Sequence, residues 1–67
     1  MVIKASNKGY HSVSLSLNID WEKKEITVEV SSYLKDGSAR YVYSANELAS
    51  ALEKFDELDS KIRGEQD

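Results

Sequence analysis

The sequence predicts an α+β domain: a three-stranded antiparallel β-meander with one C-terminal amphipathic helix packed on one sheet face, in the order βββα. Three observations carry that prediction. Residues 13–19 alternate strictly between apolar and polar. Asp36-Gly37 separates two runs of strand-forming residues. Residues 48–62 then change to helical spacing.

The first strand is expected over 10–19. Val13, Leu15, Leu17 and Ile19 alternate with Ser12, Ser14, Ser16 and Asn18. One face is apolar and the other neutral and polar, the signature of an antiparallel strand with one wet side. The second strand is expected over 25–34, where Ile26, Val28 and Val30 alternate with Thr27, Glu29 and Ser31. Residues 21–24 make a four-residue hairpin loop. That loop sets Ile19 opposite Ile26, Leu17 opposite Val28 and Leu15 opposite Val30, so both apolar rows share a face.

The third strand is expected over 39–43, after the turn Lys35-Asp36-Gly37-Ser38. Aspartate and glycine both tolerate the positive φ of a tight hairpin. Two registers are open. A two-residue turn pairs Val30 with Tyr43 and sends Tyr41 and Tyr43 into the core. A turn with a glycine bulge shifts the pairing by one and sends Val42 inward. The first is preferred because it buries two aromatic rings instead of one valine. Residues 2–5 can add a short fourth, N-terminal strand, turned by Asn7-Lys8-Gly9.

Ser44-Ala45-Asn46-Glu47 fits a capping box, and a helix is expected over 45–62. Leu48, Leu52, Phe55, Leu58 and Ile62 fall at spacings of 4, 3, 3 and 4, forming one apolar stripe. Ala45 and Ala49 lie on or beside it. Gly64 reads as the helix stop, and 64–67 as a loose tail.

Length and composition bound the function. With 67 residues, the chain holds a single domain, 1–67. Its 31 % charged and 40 % hydrophobic residues are those of an ordinary soluble globular protein. The absence of cysteine removes thiol catalysis and cysteine-ligated metal sites, and favours a reducing compartment. Met1, Val2 and Ile3 are followed by Lys4, and no apolar run is long enough for a signal peptide or a membrane span. A cytoplasmic protein without a membrane partner is expected. The opening Met1 suggests a complete small gene product.

The net charge of −3 is unevenly spread. Residues 1–43 hold six Lys/Arg against five Asp/Glu, a net of +1, and residues 44–67 hold three against seven, a net of −4. The acidity belongs to the helix. A general nucleic-acid binder would normally be basic.

No catalytic set can be assembled. His11 is the only histidine and reads as a strand-end residue capping the core opposite Leu34. Asp20, Glu22 and Glu25 surround the first hairpin loop, but lack the alternating ligands and glycine bend of a calcium site. No cofactor or metal is expected. Trp21 continues the inward parity of 13–19 and is expected to fold over the sheet end against the helix. The alternative for Trp21 is an exposed interface anchor. On the open sheet face the preferred register makes Tyr33 and Arg40 cross-strand neighbours able to stack. The outer helix face carries an acidic cluster that includes Glu53, Asp56 and Glu57. Such a patch can dock on a basic partner that otherwise holds nucleic acid.

The run Asp36-Gly37, Tyr41-Val42, Ser44 and Glu53-Lys54-Phe55, in a short acidic chain with a meander-plus-helix layout, resembles the small phage proteins that inhibit CRISPR–Cas nucleases. The resemblance covers about a third of the chain and implies a non-enzymatic role in binding a protein. The leading expectation is therefore a small protein-binding module. Its candidate contact residues are Tyr33, Arg40, Trp21, Glu53, Asp56 and Glu57. The alternatives are a sheet-face nucleic-acid binder and a structural homodimer.

Overall fold

A computed structural model describes residues 1–35 and 37–64. Four strands precede the helix: β1 (Val2–Lys8), β2 (His11–Asp20), β3 (Glu25–Leu34) and β4 (Gly37–Ser44). They form one antiparallel sheet in the order β1-β2-β3-β4. A 3₁₀ turn (Ala45–Glu47) leads into α1 (Leu48–Gly64), which lies across one face of the sheet. The fold is α+β as expected, and the optional N-terminal strand is present, which makes the sheet four-stranded.

The fourth strand is β1, and it is longer than the expected 2–5. Its apolar signal is weak because Lys4, Ser6 and Lys8 are the residues that pair with inward-facing Leu15, Val13 and His11. Lys4 and Ser6 meet Asp56 and Asp59 on the flank of α1, so the inner face of this strand is polar. Gly9 turns the chain into β2 at φ 62°, a conformation that favours glycine.

The register of β2 and β3 is the expected one, with Ile19↔Ile26, Leu17↔Val28 and Leu15↔Val30. That of β3 and β4 is not. Val30 pairs with Tyr41, Val28 with Tyr43, and Leu34 with Gly37. The shift is two residues, so Tyr41 and Tyr43 keep their inward parity. Face patterning cannot detect such a shift. Cross-strand packing can: this register sets both tyrosines against the buried valines, whereas the expected one would set Tyr41 against Ser32. Asp36, at the centre of the expected turn, lies outside the described residues.

The capping box forms. The Glu47 Oε1 accepts from the Ser44 amide at 3.1 Å and from the Ser44 hydroxyl at 2.8 Å. These bonds hold the Glu47 carboxyl below its usual pKa. The first turn is 3₁₀, so α1 starts at Leu48, later than the expected 45, and runs to Gly64. Of the tail, 65–67 lie outside the described residues.

The core is Val13, Leu15, Val28 and Val30 from the sheet, with Ala51, Phe55, Leu58 and Ile62 from α1. Leu17, Leu34, Tyr41 and Tyr43 pack around it, partly exposed. Leu48 and Leu52, expected on the buried stripe, are exposed, and Ala51 takes the position under the helix. Ala45 and Ala49 are exposed as well.

Two lysines bracket the helix. From β1, the Lys4 ammonium lies 4.8 Å from the Phe55 ring centroid and 3.5 Å from the Asp56 carboxylate. From α1, Lys54 lies 4.9 Å from the Tyr41 ring centroid on β4 and 2.7 Å from Glu57. Each combines a cation–π contact with an ion pair. On the β1 side, Ser6 donates to Asp59 at 2.5 Å, while Arg63 bonds both Asp59 and Ser6 at 3.0 Å. The Ser6 hydroxyl and then Arg63 lower the Asp59 pKa.

Candidate functional site

The sheet is longer than its cover. A ten-residue strand spans about 33 Å at ~3.3 Å per residue. The 17 residues of α1 span about 25 Å at ~1.5 Å each. The least-covered residues of the inner face lie at one end. Ser6–Asp59 and Lys4–Asp56 fix the direction of α1, with its C-terminus over the β1–β2 turn and its N-terminus toward the β2–β3 hairpin. Ile62 is therefore buried near Val13. Ile19 and Ile26, on the same inner face, extend beyond the helix and remain 46 % and 47 % exposed.

Trp21 follows on the hairpin loop and is 80 % exposed. The expectation that it folds against the helix is corrected: parity aims it at the inner side, but α1 ends short of it. Ile19, Trp21, Lys24, Glu25 and Ile26 line a shallow recess of about 330 Å³. Met1 lies at the same end, tied to Leu17 by backbone bonds of 2.7 and 3.0 Å, and is exposed. Exposed Leu48 and Leu52 begin the helix there.

The loop is held in shape. Asp20 Oδ1 accepts from the Glu22 and Lys23 amides at 3.1 Å each, so its carboxylate caps the turn. Lys24 has φ 55°, where glycine would be the inexpensive residue. The loop instead keeps a lysine side chain, and that side chain lines the recess.

The other candidates are placed as follows. Tyr33 is opposite Ser38 and Arg40 is opposite Ser31, so the expected Tyr33–Arg40 pair does not form. The reason is the two-residue shift of β4. Arg40 pairs instead with Glu29 at 3.4 Å across the open face. Tyr33 is exposed and stands apart from it. Asp56 and Glu57 are the partners of the two bracketing lysines. The hydrogen bond from Lys54 lowers the Glu57 pKa, and Glu57 raises that of Lys54. Among the described residues Glu53 has no ion-pair partner.

His11 is half-buried at the closed end, opposite Lys8. Its Nδ1 is out of contact with water and has no hydrogen-bond partner among the described residues. Among the described residues no three His, Asp or Glu side chains gather as a metal site. No helix among them is long and apolar enough to cross a membrane.

The fold and its apolar end thus describe a small two-layer α+β module with an uncovered hairpin. No protein family, curated protein or solved structure matches the chain.

Sequence reasoning named Trp21 but not Ile19, Ile26 or Lys24 as its neighbours. The signal was available in the lengths: two ten-residue strands cannot be covered by a helix about 8 Å shorter.

Proposed function

We propose that this protein is a small non-enzymatic module that acts by binding another protein, and that it grips its partner through the apolar end around Trp21. One observation carries the reading: the sole tryptophan stands 80 % exposed beside two half-exposed isoleucines in a common recess. Contiguous exposed apolar surface on a small domain marks an interaction site, and tryptophan is among the strongest interface anchors. The left-handed Lys24 supports the reading, since strained residues persist where the side chain has a task. A partner presenting an apolar side chain to the recess would meet Lys24 and Glu25 at its rim. The cysteine-free composition is in keeping with a reducing, cytoplasmic setting for this work.

A second reading, which the resemblance implies, docks the acidic outer face of α1 on a basic partner. The exposed Glu53 beside Asp56 and Glu57 favours it. Against it, Asp56 and Glu57 already neutralise Lys4 and Lys54.

Capture from an extract of the source cells separates the two. Wild type, Trp21→Ser and Glu53→Lys are immobilised in parallel, with folding verified by circular dichroism. The proposal expects a partner recovered by wild type and Glu53→Lys and lost with Trp21→Ser. Recovery unaffected by Trp21→Ser would overturn it; loss with Glu53→Lys alone would favour the acidic helix.

A further inference from the structure

The two edges of the sheet are not alike. The β1 edge is interrupted: Ile3 is the extra residue of an irregularity between Val2 and Lys4. Lysines at positions 4 and 8 and the folded-back Met1 add charge and bulk along this strand. These are recognised means of keeping a sheet edge from pairing. β4 has neither the irregularity nor the folded-back terminus. Its eight residues run in unbroken register with β3 from Gly37 to Ser44, without proline or bulge. Its single charge, Arg40, is engaged by Glu29 on the open face. Being last in the sheet order, β4 turns half of its amides and carbonyls outward.

From this contrast we propose that β4 pairs with β4 of a second copy, antiparallel across a two-fold axis, to give a continuous eight-stranded sheet. The side chains select this occupant. A register centred on Val42 sets Val42 against its counterpart on the open face. It sets Tyr41 against Tyr43 of the other copy on the inner face, and Arg40 against Ser44. Every apolar β4 side chain from Tyr41 to Tyr43 then meets another, and no like charges face each other. A register centred on Arg40 would place two guanidinium groups together and is disfavoured. Tyr41 and Tyr43 are half-buried at the sheet margin, and the second copy completes their cover. A 67-residue chain with eight buried core residues among those described gains from such an extension. The hairpin ends lie at opposite extremes of this dimer, so both Trp21 recesses remain free.

The test is the mass of the purified protein in sedimentation or light scattering, from about 1 μM to about 1 mM, spanning the range of weak to moderate self-association. Wild type is expected to double its mass across that range. Val42→Lys sets like charges at the axis, while Val42 is 58 % exposed and not part of the core. It is expected to raise the dissociation constant at least about tenfold. The matched control Val2→Lys on β1, at a site 64 % exposed, is expected to leave it unchanged. A wild type that stays monomeric throughout would overturn the proposal. So would a dimer that survives Val42→Lys, and if Trp21→Ser dissolves that dimer the contact is the hairpin end. If Val42→Lys fails to fold, amide exchange of the wild type at low and high concentration decides. Slowing confined to residues 40–44 supports β4 pairing, and slowing in β1 or none at all refutes it.

Discussion

The two ends of the sheet are built from the same strands and differ in what lies over them. At the closed end, Val13 and Ile62 are buried and Leu34 packs against the core. At the open end, Ile19 and Ile26 continue the same inward rows and remain half-exposed, with Trp21 beyond them. The inward rows run to both ends, apolar throughout at the open end and including Ser32 and His11 at the closed end. What differs is the position of α1, fixed by Ser44–Glu47 at its start and by Lys4–Asp56 and Ser6–Asp59 along its β1 flank. Apolar alternation states which face of a strand turns inward, and the reach of the covering element decides whether that face is core or contact surface.

The contrast can be broken most severely at the centre. Phe55→Ala removes the largest fully buried side chain from beneath both halves of the cover. It is expected to cost about 3–5 kcal/mol. For a domain this small, the urea midpoint should fall sharply or the chain should be unfolded in water.

A pair of identical changes sharpens the comparison. Ile62→Ala at the closed end is expected to destabilise by about 2–5 kcal/mol. Ile19→Ala at the open end is expected to cost about 1 kcal/mol or less, because half of that side chain is already in water. Equal losses in urea titrations would show that the open end is covered. Amide exchange should follow the same order, with residues 19, 20, 25 and 26 exchanging faster than 13–15 and 28–30.

Acid acts on the ties that fix the helix. Glu47, Glu57 and Asp59 all have folded pKa values below their ordinary 4.5, 4.5 and 3.8. Their contribution is therefore fully present above those ordinary values. It is lost as pH falls through the lowered ones. Asp59→Asn should flatten part of that acid dependence, measured as the change of urea midpoint between neutral pH and the acid range. The smallest effect belongs to Trp21→Ser, expected within about 0.5 kcal/mol of wild type in stability. That change is confined to binding.

The legible parts of the fold are those where burial and spacing agree. Val13 to Ile19 and Ile26 to Val30 show their strands, their faces and their mutual register in the sequence alone. Phe55, Leu58 and Ile62 show the helix. β1 was faint because Lys4, Ser6 and Lys8 occupy its inner positions, where Lys4 and Ser6 meet carboxylates of α1. The β4 register was missed because a two-residue slip leaves every side chain on the same face. With it went the expected Tyr33–Arg40 pair. Leu48 and Leu52 have the right spacing for the stripe, yet they lie toward the open end and on the β1 flank, outside the core. Trp21 was visible as a candidate, and its exposure depended on lengths and directions that no local pattern encodes.

The sheet outruns its helix and leaves Trp21 uncovered. Fluorescence of the wild-type protein tests it most directly, because Trp21 is the only tryptophan. The folded monomer, at low concentration, is expected to emit near the wavelength of its urea-unfolded form and to be quenched by acrylamide almost as readily. A strongly blue-shifted emission, protected from acrylamide until the chain unfolds, would contradict it.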